Sequence, residues 1–258
     1  MNNNQQKAAI RTNPWVLFST DSLIDVSAQV ICFHAAGCQP TGFVSWRRYF
    51  SKQVAVVPIV LPMHGSRLRE CMPYSLQEIA GNFVATSLEL FSRPTILFGH
   101  SMGAMIAYEV ACLLEARGRL PLALVVSGAQ SPDRREVVDR TIGLTDEEFL
   151  DVLRAYGSIS EELLQNREFL DYYLPVARSD FALCERYKWR RQPALMLPIH
   201  TFNGVDDTHI SKDGIEQWSS FSRICCMHHF FDGGHFYCDQ SPEEVCARIE
   251  ALIRMTLR

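Results

Sequence analysis

A serine between two glycines, Gly99-His100-Ser101-Met102-Gly103, stands where an apolar run ends and an amphipathic one begins. Strand, G-x-S-x-G, then helix is the context in which a serine hydroxyl becomes a nucleophile on a strained turn. The glycines supply room, because side chains two residues either side of the serine would collide with the turn or with neighbouring strands. The helix that follows points its positive dipole end at the serine, favouring negative charge that develops on a bound oxygen. The plainer reading is a turn serine that caps the helix over 104–118.

A serine hydroxyl is a weak nucleophile without a base and a group to orient that base. Behind such an elbow the chain order is serine, then Asp or Glu, then histidine. "FNGVDDTHI" offers Asp206 and Asp207 just after an apolar run, and "FFDGGHFYC" offers His235 after another. His100 belongs to the elbow, where it packs beside the turn. His228 and His229 fall inside a strand-like run, and His34, His64, His200 and His209 have no acid in a sensible place. Acyl transfer also needs two fixed donors for its oxyanion. The backbone N–H of Met102 is one, and the small-residue loop "HAAGC" at 34–38 offers the other.

These groups need a scaffold. Apolar runs at 29–34, 54–60, 94–99, 122–128, 197–204 and 224–231 read as strands covered on both faces. Helical patterns at 75–91, 104–118 and 241–257 alternate with them. In the last, Ser241, Pro242 and Glu244 read as N-cap, first helical residue and capping-box partner. Gly118 sits where a helix-ending glycine belongs. This alternation predicts an α/β fold with a mostly parallel central sheet flanked by helices. Residues 131–188 break it with helical patterns and no strand, as a helical lid insertion would. One domain over 1–258 follows, with 1–12 as a disordered tail.

The net charge of −4 gives no footprint for nucleic acid. No run of about 18 apolar residues predicts a membrane span, and the N-terminus lacks a signal-peptide pattern. The nine cysteines include no C-x-x-C pair. They read as reduced, packed thiols of a cytoplasmic protein, with no metal site expected.

In the ordered combination of "ICFHAAG", Trp46, "LPMHGSRLRE", "GHSMGA", "VVSG", "YLPVARSDFALCERYKW", "FNGVDD" and "GGHF", the chain resembles the type II, standalone thioesterases of nonribosomal peptide and polyketide synthesis. The resemblance runs from Trp15 to the C-terminus. It implies an α/β-hydrolase fold with Ser101 as nucleophile, Asp207 as acid and His235 as base, Asp206 being the fallback acid. It implies Met102 and Ala36 as backbone oxyanion donors. It further implies a monomer that needs no cofactor, with acyl groups carried on the phosphopantetheine of acyl or peptidyl carrier proteins as substrate. The basic clusters at 188–191 and 134–135 would meet such an acidic partner, or are simply solvated. The sequence departs from the family in the 34–38 loop, where the usual Pro-His-Ala-Gly-Gly reads His34-Ala35-Ala36-Gly37-Cys38. It also departs at Met63-His64, where proline-glycine is usual, and at Asp232. A general ester or lipid hydrolase with the same triad, a transacylase, and a non-catalytic protein on the same fold remain as alternatives.

Overall fold

The computed structural model describes residues 13–18, 26–134, 140–157, 159 and 161–257. The tail read over 1–12 lies outside them. The six apolar runs form six strands: β1 (Ala28–Phe33), β2 (Val54–Pro58), β3 (Thr95–His100), β4 (Ala123–Ser127), β5 (Ile199–Gly204) and β6 (Cys226–Phe231). All their pairings are parallel, in the order β2-β1-β3-β4-β5-β6.

Successive side chains of a strand point to opposite faces, so an all-apolar strand feeds two cores. Ile31, Phe33, Leu97, Leu124 and Val126 pack with α1 (Leu76–Ser87) and α2 (Met102–Glu115). Val30, Cys32, Ile96, Phe98 and Val125 pack on the other face with Phe43, Trp46 and α8 (Pro242–Thr256). Phe43 and Trp46 belong to a 3-10 segment, Pro40–Tyr49. From Met102 to Ala111 every residue of α2 is buried, because the sheet lies on one side of it and other helices on the rest.

Helix signals held unevenly. Ser75 caps α1 by accepting the N–H of Glu78. Gly118 takes the left-handed φ of +66° just beyond α2. The capping box at Ser241 does not form. The N–H of Ser241 already closes α7 (Tyr237–Gln240) by bonding to the Tyr237 carbonyl at 2.8 Å. The chain therefore enters α8 from a helix and not from an extended cap.

Between β4 and β5 the described residues contain helices and no strand. They are α3 (Asp146–Tyr156), the short α4 (Glu161–Leu164) and α5 (Arg167–Arg186). A capping box that was not read from the sequence, Thr145 with Glu148, starts α3. Phe149 of α3 meets Phe181 of α5 edge to face at 5.3 Å. Burying such a ring stabilises by about 1.5–3 kcal/mol, so these two helices brace each other. After β5, α6 (Lys212–Glu216) leads toward β6.

β1 pairs with β2 on one side and β3 on the other, so the connections leave β1 and β3 in opposite directions. In open α/β sheets the crevice at the carboxyl ends of such a strand pair is where ligands bind.

Candidate active site

The elbow lies at that crevice. β3 ends at His100, Ser101 follows with φ 54° and ψ −112°, and α2 begins at Met102. A non-glycine residue in this region is strained, and the surroundings fix it. A Cβ on Gly99 would overlap the Gly103 carbonyl, and one on Gly103 would overlap the Phe33 carbonyl at the end of β1. The helix thus starts in direct contact with two strands. The N–H of Ser101 donates to the Ser127 carbonyl at 2.8 Å. Met102, as the first residue of α2, carries one of the N–H groups that a helix leaves without an internal partner.

Asp207 follows β5 and His235 follows β6. Their side chains meet, His235 Nδ1 donating to Asp207 Oδ2 at 2.8 Å, and both are nearly inaccessible to solvent. The other oxygen, Oδ1, accepts the N–H of His209 at 2.9 Å. A Cβ on Gly204 would overlap the carbonyls of Gly233 and Gly234, so the two loops touch backbone to backbone. They are stitched by the N–H of Asp206 bonding to the Gly233 carbonyl at 3.0 Å. Asp206 itself is exposed, so of the two candidate acids only Asp207 reaches the imidazole. Burial opposes the charge of Asp207. The hydrogen bond and attraction from His235, with the N–H of His209, outweigh it and hold the carboxyl below its usual range. With Nδ1 given to Asp207, Nε2 is the ring nitrogen of His235 that remains for another partner. Nε2 is buried and has no hydrogen-bond partner among the described residues.

The His235 ring lies 5.0 Å from His100, 5.5 Å from Tyr156 of α3 and 5.6 Å from His209. Tyr156 stacks on His209 at 4.0 Å. Neither contact was legible from sequence order, since α3 is far from both loops along the chain. His100 is packed beside the turn as its position in the elbow suggested, its Nδ1 bonded to Ser127 Oγ at 2.9 Å.

The 34–38 loop follows β1. The N–H of Cys38 bonds to the Ala35 carbonyl at 3.1 Å, and Gly37, in the third position of this turn, has φ +72°. Those are the marks of a type II turn, which needs a left-handed residue there. Ala36 is its second residue and is buried. A cavity of about 370 Å³ opens between this loop (Ala35, Cys38), the elbow (His100), Phe236, and Phe169 and Tyr173 of α5.

His64 does have an acid. Its Nε2 lies 3.1 Å from Asp180 Oδ2 on α5, 116 residues away, and both are buried. With His34, these residues bring three ligand-type atoms within 4.8 Å of one another. The bond between His64 and Asp180 already occupies two of those atoms. Of the basic clusters, Lys188, Arg190 and Arg191 are exposed, Arg134 pairs with Asp213 at 3.7 Å, and Arg135 lies outside the described residues.

Two buried histidines make the fold acid-sensitive. Burial, then the neighbouring His64, pushes His34 down to about 4, and burial, then His235, pushes His100 down to about 3. Below the ordinary value of 6.5 the unfolded chain takes up these protons and the folded chain does not. Stability is therefore expected to fall as pH falls from 6.5 toward 4, each histidine adding up to about 1.4 kcal/mol per pH unit. Denaturant midpoints measured across that range check this, and a flat profile would mean these imidazoles are reached by solvent protons in the folded chain.

Residues 28–253 match the family described as the thioesterase domain. The chain belongs to the thioesterase family. It is thus a hydrolase acting on thioesters, on an α/β-hydrolase fold. Among its relatives is the gramicidin S biosynthesis protein GrsT of Aneurinibacillus migulanus, 29% identical over 89% of this chain and 90% of that one. The thioesterase RedJ from the prodiginine pathway of Streptomyces coelicolor superposes with a TM-score of 0.82 at 31% identity, covering 90% of this chain and 87% of its own. The type II thioesterase BorB from the borrelidin cluster superposes with a TM-score of 0.84 at 27% identity, covering 93% and 98%. No helix among the described residues of this thioesterase is long and apolar enough to cross a membrane.

Proposed function

We propose that this thioesterase is a type II enzyme that frees acyl groups from the phosphopantetheine arm of carrier proteins in a nonribosomal peptide or polyketide pathway. The reaction runs through an acyl-serine. Ser101 Oγ attacks the thioester carbonyl while its proton passes to His235 Nε2. The N–H groups of Met102 and Ala36 hold the oxyanion. The tetrahedral intermediate collapses, the C–S bond breaks, and His235 returns its proton to the departing thiolate. Water then adds to the acyl-serine with His235 as base, and the free acid leaves. Asp207 keeps Nδ1 protonated, so that Nε2 faces the serine side, and stabilises the imidazolium.

One observation carries this reading: the His235–Asp207 pair, with an unbonded Nε2, lies beside a serine elbow at the crevice. The apolar cavity between the 34–38 loop and the helices over 146–186 suits an acyl chain, and an arm can thread to the serine where a whole carrier domain cannot. The relatives' own names, GrsT, RedJ and BorB, point to such pathways.

The test is release of acetyl and of a longer acyl group from a phosphopantetheinylated carrier protein, beside a simple ester of the same acid. Carrier-bound thioesters should turn over faster than the ester. Equal or faster cleavage of the ester would replace this reading with a general esterase. Transfer of the acyl group to added alcohol or amine in preference to water would make it a transacylase.

A further inference from the structure

The 34–38 loop is held by a charge that arrives from the helical insertion. Asp180 lies on the face of α5 that also buries Tyr173, Val176, Ala177 and Leu183, and it is wholly inaccessible to solvent. A carboxylate there is costly unless it is bonded. Its Oδ2 accepts the N–H of Gly37 at 2.9 Å and faces His64 Nε2 at 3.1 Å. His64 Nδ1 lies 2.9 Å from the Pro62 carbonyl, which can only accept. Both ring nitrogens therefore donate, and His64 is an imidazolium. Burial opposes that charge, but the attraction and hydrogen bond of Asp180 outweigh it and hold His64 above its ordinary range.

The backbone before His64 is adapted to this. Met63 takes a φ of +63°, one of the two non-glycine residues with positive φ among the described ones, the other being Ser101. Such strain persists only where the surroundings over-determine it. The bonds from His64 to Asp180 and to Pro62 do so.

What the carboxylate grips is a peptide plane. In a four-residue turn, the peptide between the second and third residues distinguishes type I from type II by which way it faces. Here it is the Ala36–Gly37 peptide, and its N–H points at Asp180. Tyr173 closes the same side, since a Cβ on Gly37 would lie 2.8 Å from its hydroxyl oxygen. The N–H of Ala36 belongs to the peptide just before it in the same turn.

We propose that Asp180 is a positioning residue: from α5 it fixes the Ala36–Gly37 peptide, and so the second oxyanion donor, making that hole complete only while α5 is seated on the loop. His64 lies against the carboxylate in its buried place, Nε2 to Oδ2 at 3.1 Å. Seating of the insertion and assembly of the hole are then one event, and a displaced helix leaves an enzyme that binds substrate but turns it over poorly. This inference rests on the serine mechanism proposed above.

Asp180→Asn keeps the size and removes the charge. Three quantities are read on it: kcat and KM for an acyl-N-acetylcysteamine thioester, the inhibition constant of a boronic acid that forms a tetrahedral adduct, and hydrogen exchange over 34–38. Losing an oxyanion donor outright costs about 10²–10³ in kcat, so a loosened one should cost about tenfold. The boronic acid should weaken by about the same factor while KM stays within about twofold, because the donor acts on the tetrahedral state. Exchange over 34–38 should quicken. Unchanged kcat and inhibition constant, with Ser101→Ala inactive, would leave the serine mechanism standing and overturn this inference alone. Wild-type turnover by Ser101→Ala would remove the mechanism itself, and this inference with it. Should Asp180→Asn fail to fold, His64→Gln decides, since it leaves Asp180 in place and removes the countercharge. It should show the same changes at about threefold, and no change in either kcat or exchange overturns the proposal. Loss of wild-type activity on chelation would also overturn it, by making a bound cation, and not the imidazolium, the partner of Asp180.

Discussion

Ser101→Ala is expected to lower thioester turnover by about 10⁴- to 10⁶-fold while the protein keeps its fold. The loss is this large because the proposed mechanism forms its acyl intermediate on Ser101. His235 would be left with a lone pair and no hydroxyl to deprotonate, and the oxyanion donors would be left to act on slow attack by water. Stability should stay within about 1 kcal/mol, because the backbone strain at φ 54° belongs to any residue with a Cβ and is already borne by the native chain. Steady-state hydrolysis of an acyl-N-acetylcysteamine thioester, with thermal unfolding of both proteins, checks the two halves together. Retention of more than about 1% of kcat in a folded variant would be far above the residue expected once a nucleophile is gone. It would move the nucleophile elsewhere.

Asp207→Asn is expected to lower kcat by about 10⁴-fold with KM little changed. An amide in this place can present its N–H₂ to the ring, which then turns its proton toward the serine. The base is present but in the wrong tautomer. The variant also loses the negative charge that stabilises the imidazolium as it forms. Asp206→Asn is the matched control. Its side chain is exposed and its contribution to the loop is a backbone N–H, so its kcat should stay within about twofold of the parent. If the two variants lost activity equally, the loop would have a different register in solution and Asp206 would be the acid.

The strands were legible because parallel strands buried on both faces leave unbroken apolar runs, and all six appeared at the positions read for them. The elbow was legible because two glycines and a serine have few other reasons to occupy a strand–helix junction. Asp207 and His235 needed chain order as well, and the resemblance chose between Asp206 and Asp207. What escaped was tertiary. His64 was read as a histidine without an acid because Asp180 is 116 residues away. A signal existed, since Asp180 falls on the apolar stripe of its own helix, four residues after Val176 and one before Phe181. A carboxylate on a buried stripe implies a partner, but sequence cannot say which. Tyr156 and His209, which pack around His235, carried no signal, because only the folding of α3 over the β5 loop brings them together. Ser241 and Pro242 open the last helix as read, but the capping box fails for a local reason: the N–H that Glu244 would have bonded is already given to the Tyr237 carbonyl.

Cys38 lines the cavity, half-buried, and the surrounding protein pushes its thiol up to about 12, with Asp239 and Asp180 adding to the effect of burial. Cys238, on the same cavity, is raised well above the usual range by burial and by Asp239. A thiolate there would be a hazard to an enzyme whose substrates are thioesters. Thiol–thioester exchange is nearly isoenergetic, so an ionised cysteine would take the acyl group from its carrier, releasing the carrier thiolate, and hold it as a cysteinyl thioester. The thiol, unlike the thiolate, is not a nucleophile for this exchange. Keeping both sulfurs protonated at neutral pH lets the pocket use cysteine for its shape and softness without entering the acyl-transfer chemistry beside it.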